Sequence, residues 1–295
     1  MHPILSTMFA SWHGSCVYRE HHWRGDHATS CQLALQLCLV KKLGDRVMKI
    51  GIIGAGNIGG TLTRRLRKLN HEVLIANSRG PESLASLAKE TGARPVTVRD
   101  AVKGVDLVII TIPEKSIEQL PKDLFEGVPK SVPVVDTGNY YPSMRDGVMT
   151  ELEEAPSESS WVSTKLGRRV IKAFNNIPAP SLGTAGVTRG TQGRIALPIS
   201  GDDSKSKELV MRLVEELGFD AIDAGSLDES WQQQPGTPVY CTNLDAEELR
   251  KGLAQVDRER SQRLRKIAET KFTQLPADFT PEMIVKMSRD IQKAA

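Results

Sequence analysis

Residues 48–79, MKIGIIGAGNIGGTLTRRLRKLNHEVLIANSR, constrain the fold of this chain more than any other stretch. The apolar run at residues 49–53 is typical of a buried strand, and it leads directly into the glycine-rich turn GAGNIG. Ile58, Leu62 and Leu66 then recur at helical spacing, and a second apolar run follows at residues 71–76. This order of strand, glycine turn, helix and strand predicts a β-α-β unit that binds a dinucleotide.

Each glycine of the turn stands where a dinucleotide-binding protein needs a position without a side chain. We predict that Gly54 allows the tight turn, that Gly56 lets the backbone approach a pyrophosphate, and that Gly59 lets the helix pack closely on the strand. The N-terminus of the helix adds free N–H groups and a partial positive charge, which favour phosphate binding.

The end of the second strand predicts which dinucleotide is bound. Enzymes that prefer NAD place Asp or Glu there, because a carboxylate accepts hydrogen bonds from the ribose hydroxyls. This chain instead has Asn77, followed by Ser78 and Arg79. No carboxylate repels a 2′-phosphate, and a guanidinium beside a hydroxyl can bind one. We therefore predict NADP(H) as the cofactor.

The composition is typical of a soluble globular protein, with 39% apolar and 25% charged residues among 295. A formal net charge of +3 is small for this length, so we expect no nucleic-acid or anionic-membrane partner. No run approaches the roughly 18 apolar residues that a membrane span needs. Beyond residue 47 only Cys241 remains, and we expect it to be structural and the compartment to be reducing and cytoplasmic.

Residues 1–47 differ from the rest, since they hold five of the six histidines and three of the four cysteines. The cysteines and histidines between residues 16 and 31 match no standard zinc spacing, so we predict no metal site there. We expect either a disordered extension or a mis-assigned start, with translation beginning at Met48.

Strands and helices continue to alternate after the β-α-β unit. Further strands are predicted at residues 94–98, 106–111, 132–136, 170–174, 194–200 and 219–223. In open α/β sheets, ligands bind outside the carboxyl ends of the strands, so three strand ends should face one crevice. Their residues are Thr111, Ile112 and Pro113; Thr137, Gly138 and Asn139; and Asn175 and Asn176. The predicted fold class is α/β, a doubly wound, mostly parallel Rossmann sheet at residues 48–227 with a short helical C-terminal extension.

The extension, residues 228–295, is predicted to begin with a Pro/Gly loop at 230–238 and to continue with helices at 245–271 and 280–293. The basic cluster at residues 258–266 is interrupted by acidic residues, so a solvated helix face is expected. These polar helices should pack on the sheet or on a second subunit, and a homodimer is expected through them.

Three smaller features have both a structural and a functional interpretation. Asp202 and Asp203 follow a glycine and are expected to cap a helix rather than bind a metal. Tyr140 and Tyr141 follow a strand end and are either structural aromatics at the crevice rim or proton donors. Residues 157–160 are polar and are expected to form a surface loop.

Taken together, four motifs resemble the NADP-dependent oxidoreductases that use the deazaflavin coenzyme F420. They are GIIGAGNIGGTL, ANSRGPESL, KAFNNIPA and LPISGDDSKSKELVMRLVEELGFDAIDAG, within residues 48–227. The resemblance implies a Rossmann domain with a short C-terminal extension and hydride transfer between NADP and the deazaflavin. It implies that the pyrophosphate binds at Gly54, Gly56, Asn57, Ile58 and Gly59, and that the 2′-phosphate binds at Ser78 and Arg79. The rest of the cofactor would lie along Ile112 and Pro113. The nicotinamide would lie near Phe174, Asn175 and Asn176, which would be the catalytic residues.

The C-terminal part departs from the family, whose corresponding segment is usually apolar and helps enclose the deazaflavin. Here the sequence is SWQQQPGTPVY followed by charged helices, so a flavin, a quinone or a small carbonyl compound could replace the deazaflavin as the redox acceptor. Pyrroline-5-carboxylate and other imine reductases share the glycine turn, but an apolar helical domain of about a hundred residues follows it in that class, and only 70 mostly polar residues follow Gly225 here. A non-catalytic NADP(H) sensor is a third interpretation, because function depends on the site and not on the fold.

Overall fold

The computed structural model describes residues 47–276 and 278–293, and the predictions for residues 1–46 lie outside this range. Six parallel strands form the main sheet, in the order β3-β2-β1-β4-β5-β6. They are β1 Lys49–Ile53, β2 Glu72–Ala76, β3 Arg94–Pro95, β4 Leu107–Ile110, β5 Val134–Asp136 and β6 Ile171–Lys172. This order is that of doubly wound dinucleotide-binding sheets, so the predicted fold class is confirmed.

Two further strands extend the architecture beyond β6. Strands β7 (Ala196–Ile199) and β8 (Asp220–Asp223) pair in parallel with each other. An antiparallel bridge between Lys172 and Ser200 joins β6 to the end of β7. The predicted strands are therefore all present, although several are shorter than expected.

Helices cover both faces of the sheet and form the C-terminal region. They are α1 Asn57–Lys68, α2 Ala85–Thr91, α3 Thr150–Glu153, α4 Glu158–Leu166, α5 Ala179–Thr184, α6 Ser204–Glu216, α7 Ala246–Ala254, α8 Arg258–Phe272 and α9 Pro281–Lys293. Short 3₁₀ turns lie at Pro81–Leu84, Glu114–Gln119 and Asp228–Gln233, and a π turn lies at Pro142–Asp146.

The strands are apolar along their whole length because both faces of the sheet are covered. In β1, Ile50 and Ile52 belong to the core cluster that also holds Leu62 of α1, whereas Ile53 belongs to the cluster on the other face, which holds Val162 of α4. Side chains alternate in this way because successive residues of a strand point to opposite faces. The sheet therefore has two cores, one on each side.

Two predicted segments differ in the structure. The helix predicted over residues 245–271 is wrong, because the chain breaks between α7 and α8, where the side chain of Asp257 accepts a hydrogen bond from the Arg260 amide and starts a new helix. Residues 157–160 do not form a surface loop, since Ser157 caps α4 through the Ser160 amide and Ser159 is fully buried.

Asp203 caps α6 as predicted, accepting a hydrogen bond from the Ser206 amide at 2.8 Å. Asp202 instead accepts from the Leu227 amide at 3.0 Å. This contact fixes the segment that follows β8, and the 3₁₀ turn Asp228–Gln233 begins directly after it.

The C-terminal helices pack on their own chain. Leu249 of α7 is buried with Ile222 of β8 in one apolar cluster. Helix α9 is held by Arg260 of α8, which donates to the Gln292 carbonyl at 2.6 Å. Dimer formation and the domain boundary at residue 227 stay predictions. Over the part of the chain that is described, no helix has both the length and the apolar character to cross a bilayer.

Candidate active site

Close backbone contacts explain two glycines of the turn after β1. Gly54 has φ +110°, and a Cβ atom there would lie 2.4 Å from the Thr111 carbonyl oxygen. A Cβ atom at Gly59 would lie 1.9 Å from the Gly54 carbonyl oxygen. Such distances are far inside van der Waals contact, so neither position accepts a side chain without displacing the backbone.

Gly56 differs, because a Cβ atom there would meet nothing within 4 Å. It is the N-cap of α1, and the helix has no side-chain cap and no acidic residue in its first turn. Gly56 and Asn57 are exposed, and Ile58 is half-buried. Within the described part of the chain, no side chain caps the N–H groups of this helix end, which fits the binding of a pyrophosphate.

The loop after β2 is held by the side chain of Asn77. Its Oδ1 accepts from the Arg79 amide at 3.0 Å, and its Nδ2 donates to Ser83 Oγ at 2.9 Å. Ser78 and Arg79 are exposed, and within the described residues the Arg79 guanidinium makes no hydrogen bond or ion pair. A rigid loop therefore presents a free cation and a hydroxyl, the chemistry that a 2′-phosphate needs.

The ends of β4 and β5 lie side by side, as predicted. Thr111 Oγ1 donates to the Gly54 carbonyl at 2.9 Å, and Ile112 and Pro113 are half-buried next to it. Thr137 Oγ1 donates to the Ile110 carbonyl at 3.2 Å, and Thr137 is buried. Gly138 is buried as well, whereas Asn139 is half-buried.

The end of β6 is more enclosed than the other strand ends. Phe174 is fully buried and has φ +62°, a left-handed conformation that is strained for a bulky residue. Asn175 and Asn176 are only 3% and 4% exposed. Asn175 Nδ2 donates to Asn139 Oδ1 at 3.1 Å, so this strand end contacts the β5 end. The catalytic role predicted for these three residues stays a prediction.

Asn176 ties β6 to the C-terminal segment. Its carbonyl accepts from the Cys241 amide at 2.8 Å, and its Nδ2 donates to the Val239 carbonyl at 3.3 Å. Cys241 is buried, and burial raises the pKa of its thiol to about 12. The thiol is therefore protonated at neutral pH, as expected for a structural cysteine.

Beneath the crevice lies a buried ion pair that sequence reasoning missed. Lys172 Nζ lies 3.2 Å from Asp136 Oδ2, and both side chains are almost fully buried. Lys172 also donates to the Gly138 carbonyl at 2.6 Å, and Asp136 Oδ1 accepts from the Gly138 amide at 2.9 Å. Ser159 Oγ donates to Asp136 at 2.6 Å. The pair therefore holds the Gly138 backbone by both its N–H and its C=O groups.

Two further buried carboxyls, Glu114 and Glu158, surround this pair, and none of their oxygens makes a hydrogen bond of ordinary geometry within the described chain. Burial raises the pKa of Glu114 well above its usual range, and nearby Asp136 adds to the effect. Burial also raises the pKa of Glu158 to about 7. Burial lowers the pKa of Lys172, but the surrounding carboxylates outweigh it and the net direction is upward. The ammonium is therefore held charged by its acidic neighbours.

A signal for this cluster was present in the sequence. Lys172 stands inside the apolar run VIKAF, and Asp136 ends the apolar run VPVVD. A charged residue in a strand that is covered on both faces requires a partner, because an isolated buried charge is very costly. The sequence therefore indicated that Lys172 has a buried partner, although it did not identify Asp136 as that partner.

The hydroxyls of Tyr140 and Tyr141 are both engaged within the chain. Tyr140 is fully buried, and its hydroxyl accepts from the Met149 amide at 2.8 Å and lies 3.0 Å from the Gly147 carbonyl. The hydroxyl of Tyr141 hydrogen-bonds to that of Tyr240. Burial raises the pKa of both Tyr140 and Tyr141. These contacts fit the structural interpretation better than that of a proton donor.

The basic cluster of α8 is not wholly solvated. Arg258 lies 4.5 Å above the Trp231 ring, and Arg265 lies 5.2 Å above the Tyr140 ring. Both line a cleft of about 330 Å³ between α8 and the segment that follows the 3₁₀ turn Asp228–Gln233. Arg258 is nevertheless exposed, as expected of a solvated helix face, whereas the Arg265 side chain is only 15% exposed.

Comparison with known proteins agrees with this geometry. A family model described as NADP oxidoreductase, coenzyme F420-dependent, matches residues 49–140. The crystal structure of the hypothetical protein SMa0349 from Sinorhizobium meliloti is 32% identical, with a TM-score of 0.56, over 72% of this chain and 98% of that chain. The chain belongs to the F420-dependent NADP oxidoreductase family. The predicted resemblance is thus confirmed.

Two other similarities are narrower. A protein of Arthrobacter sp. FB24, described as an F420-dependent NADP-reductase, is 23% identical with a TM-score of 0.52, over 62% of this chain and 87% of that one, and at this identity it shows the fold alone. The protein YjhV of Escherichia coli K12 is 44% identical over 57 residues, which are 19% of this chain and 42% of YjhV. The chain therefore matches less than half the length of that curated relative.

Gly56→Ala tests whether the turn after β1 contributes to cofactor binding independently of folding. We expect NADPH affinity to fall by about 10-fold or more, or ~1.4 kcal/mol, because the added methyl group fills the space that a pyrophosphate needs. The melting temperature should stay near that of the wild type, since the methyl group meets nothing in the protein. Calorimetric titration with NADPH and thermal unfolding measure the two effects. Gly59→Ala is the contrasting variant and should lose stability, and equal melting temperatures for the two variants would contradict this assignment.

Lys172→Met tests the buried ion pair. We expect the free energy of unfolding to fall by about 3–5 kcal/mol, because Asp136 and its neighbouring carboxyls lose their buried counter-charge. Urea denaturation at neutral pH gives the value. Lys251→Met is the matched control, since Lys251 forms an exposed pair with Glu247 and should change stability by less than about 1 kcal/mol. A similar loss of unfolding free energy in both variants would show that the buried pair contributes no more to stability than an exposed pair does.

Proposed function

We propose that this enzyme transfers a hydride between NADP(H) and a deazaflavin or a similar flat redox acceptor. The transfer would take place where the ends of β4, β5 and β6 meet. The observation that carries the proposal is the character of these strand ends, which offer only non-ionisable side chains. Their residues are Thr111, Ile112, Pro113, Thr137, Gly138, Asn139, Phe174, Asn175 and Asn176.

A carbonyl substrate needs a proton donor next to its oxygen, whereas transfer between two ring systems depends mainly on alignment at short distance. The ionisable groups at this edge, Glu114, Asp136 and Lys172, are fully or almost fully buried. A site of this kind favours an acceptor that needs positioning more than acid catalysis. A deazaflavin is such an acceptor.

The proposed orientation of the cofactor follows from two polar groups that have no side-chain partner among the described residues, the N-terminus of α1 and the Arg79 guanidinium. The end of α1 at Gly56 would bind the pyrophosphate, and Ser78 and Arg79 would bind the 2′-phosphate. From these two points the cofactor would extend along Ile112 and Pro113 toward Asn139. When bound, NADPH supplies a hydride from its nicotinamide ring to the acceptor, which takes up one proton from solvent, and NADP⁺ and the two-electron-reduced acceptor result.

Arg79→Ala tests the proposed 2′-phosphate site. We expect NADPH to bind roughly 10- to 100-fold more weakly, because a charge-assisted contact is lost, while NADH binding changes by less than about 2-fold. Fluorescence titration with each nucleotide measures the ratio of affinities. Arg64→Ala removes an exposed arginine of α1 that already pairs with Glu90, and it should leave the ratio unchanged. If the NADPH to NADH ratio is the same in Arg79→Ala and wild type, the 2′-phosphate is bound elsewhere.

The acceptor itself is tested by NADPH oxidation with purified protein in the presence of deazaflavin, FMN, FAD, a quinone or pyrroline-5-carboxylate. We expect turnover with the deazaflavin, since the strand ends named above carry no ionisable side chain and hydride transfer between two rings depends mainly on their alignment. Turnover only with pyrroline-5-carboxylate would replace the proposal by imine reduction. Tight NADPH binding without oxidation by any acceptor would favour a sensor. The protein without acceptor and the acceptor without protein are the blanks.

A further inference from the structure

The side chain of Gln233 lies at the centre of a buried amide network. Gln233 belongs to the polar segment SWQQQPGTP, and it is fully buried. Its Nε2 donates to Asn175 Oδ1 at 3.1 Å and to the Lys172 carbonyl at 3.4 Å. Its Oε1 accepts from Ser200 Oγ at 3.3 Å. One amide therefore joins the ends of β6 and β7 to the C-terminal region.

The network determines the orientation of the Asn175 amide. Both of its N–H groups are used, one to the Gln233 carbonyl at 2.7 Å and one to Asn139 Oδ1 at 3.1 Å. Its oxygen accepts from Gln233 Nε2. An end-for-end rotation of this amide would replace each favourable contact with a donor facing a donor or an acceptor facing an acceptor. Asn175 is therefore held in a single orientation.

Asn175 passes this constraint to Asn139, the member of the network that is not fully buried. Asn139 Nδ2 donates to the Asn175 carbonyl at 3.0 Å, which makes the contact between the two residues reciprocal. The preceding residue, Gly138, is held by Asp136 and Lys172 through its N–H and C=O groups. The end of β5 is thus held by the Lys172–Asp136 ion pair at Gly138 and by the Asn175 amide at Asn139.

We propose that Gln233 is a positioning residue for hydride transfer, acting through Asn175 and Asn139 at the nicotinamide end of the crevice. The proposal rests on the function proposed above for this crevice. Because Gln233 is buried, it does not contact the cofactor itself. The proposed phosphate sites at Gly56 and Arg79 belong to other parts of the fold, so NADPH affinity should depend little on Gln233. The rate of transfer should depend on it strongly.

The test compares Gln233→Met with Gln232→Met. Methionine keeps the length of the side chain and removes all three of its amide hydrogen bonds. Gln232 is a half-buried neighbour in the same 3₁₀ turn. Three quantities are measured: the NADPH dissociation constant, the single-turnover rate of NADPH oxidation with deazaflavin, and saturation transfer from protein to the nicotinamide and adenine protons of NADPH by NMR. Gln233→Glu is a second variant of equal size, which keeps an acceptor for Ser200 but removes the donor to Asn175.

We expect Gln233→Met to lower the single-turnover rate by roughly 10- to 100-fold, with the dissociation constant changed by less than about 2-fold. Saturation transfer to the nicotinamide protons should fall, that to the adenine protons should persist, and Gln232→Met should match the wild type. Unchanged nicotinamide signals in both Gln233 variants would overturn the proposal. So would an equal loss of adenine signal and affinity, which indicates general disruption. The proposed function and the positioning role can fail separately. If the wild type oxidises NADPH with none of the acceptors, and saturation transfer to the nicotinamide protons still falls in Gln233→Met, the proposed function is refuted and the positioning role is supported.

Discussion

The close approach between the turn after β1 and the end of β4 is the contact on which the rest of this structure depends. Gly54 and Gly59 bring the two backbones together, and Thr111 closes the contact by donating its hydroxyl to the Gly54 carbonyl at 2.9 Å. Because the contact is made by backbone atoms, α1 starts directly at the carboxyl edge of the sheet. The same geometry that packs the helix therefore places its N-terminal N–H groups at the proposed pyrophosphate site.

A second constraint lies at the other half of that edge, in the pair of Lys172 and Asp136. A buried ion pair is weak support for stability by itself, because desolvation opposes the attraction between the charges. Here the pair also satisfies both backbone groups of Gly138 and takes a hydroxyl from Ser159. The ion pair therefore fixes the position of the loop that leads to Asn139, because this loop cannot move without breaking several buried hydrogen bonds. The position of the crevice is thereby coupled to the core.

Features encoded within one continuous segment could be predicted from the sequence. Strand β1 occupies Lys49–Ile53 as predicted, since its apolar run ends at a glycine turn whose spacing has one common structural solution. The helix break before α8 was missed because the apolar stripe continues through Val256, and the only local signal was the capping side chain of Asp257. The serine-rich segment was misassigned because its polar composition hid an N-cap at Ser157.

The parts of the candidate site that could not be predicted involve residues far apart in the chain. Glu114, Asp136 and Lys172 meet only because β4, β5 and β6 are neighbours in the sheet. Local composition carries no information on the order of strands in the sheet, although a charged residue within a buried strand does indicate that it has a partner. Gln233 is a stronger case, because it reaches its partners through a 3₁₀ turn whose path depends on the whole C-terminal region.

The polar character of the segment after β8 follows from what it has to cover. The left-handed turn at Phe174 leaves Asn175 and Asn176 buried at the end of β6, where each amide needs partners. An apolar side chain at position 233 would leave Asn175 Oδ1 without its hydrogen-bond donor, at a cost of about 1–3 kcal/mol. The segment instead supplies the Gln233 side chain, the Val239 carbonyl and the Cys241 amide. The Gln233 side chain is therefore matched to Asn175, and a change at one of the two positions should be accompanied by a change at the other.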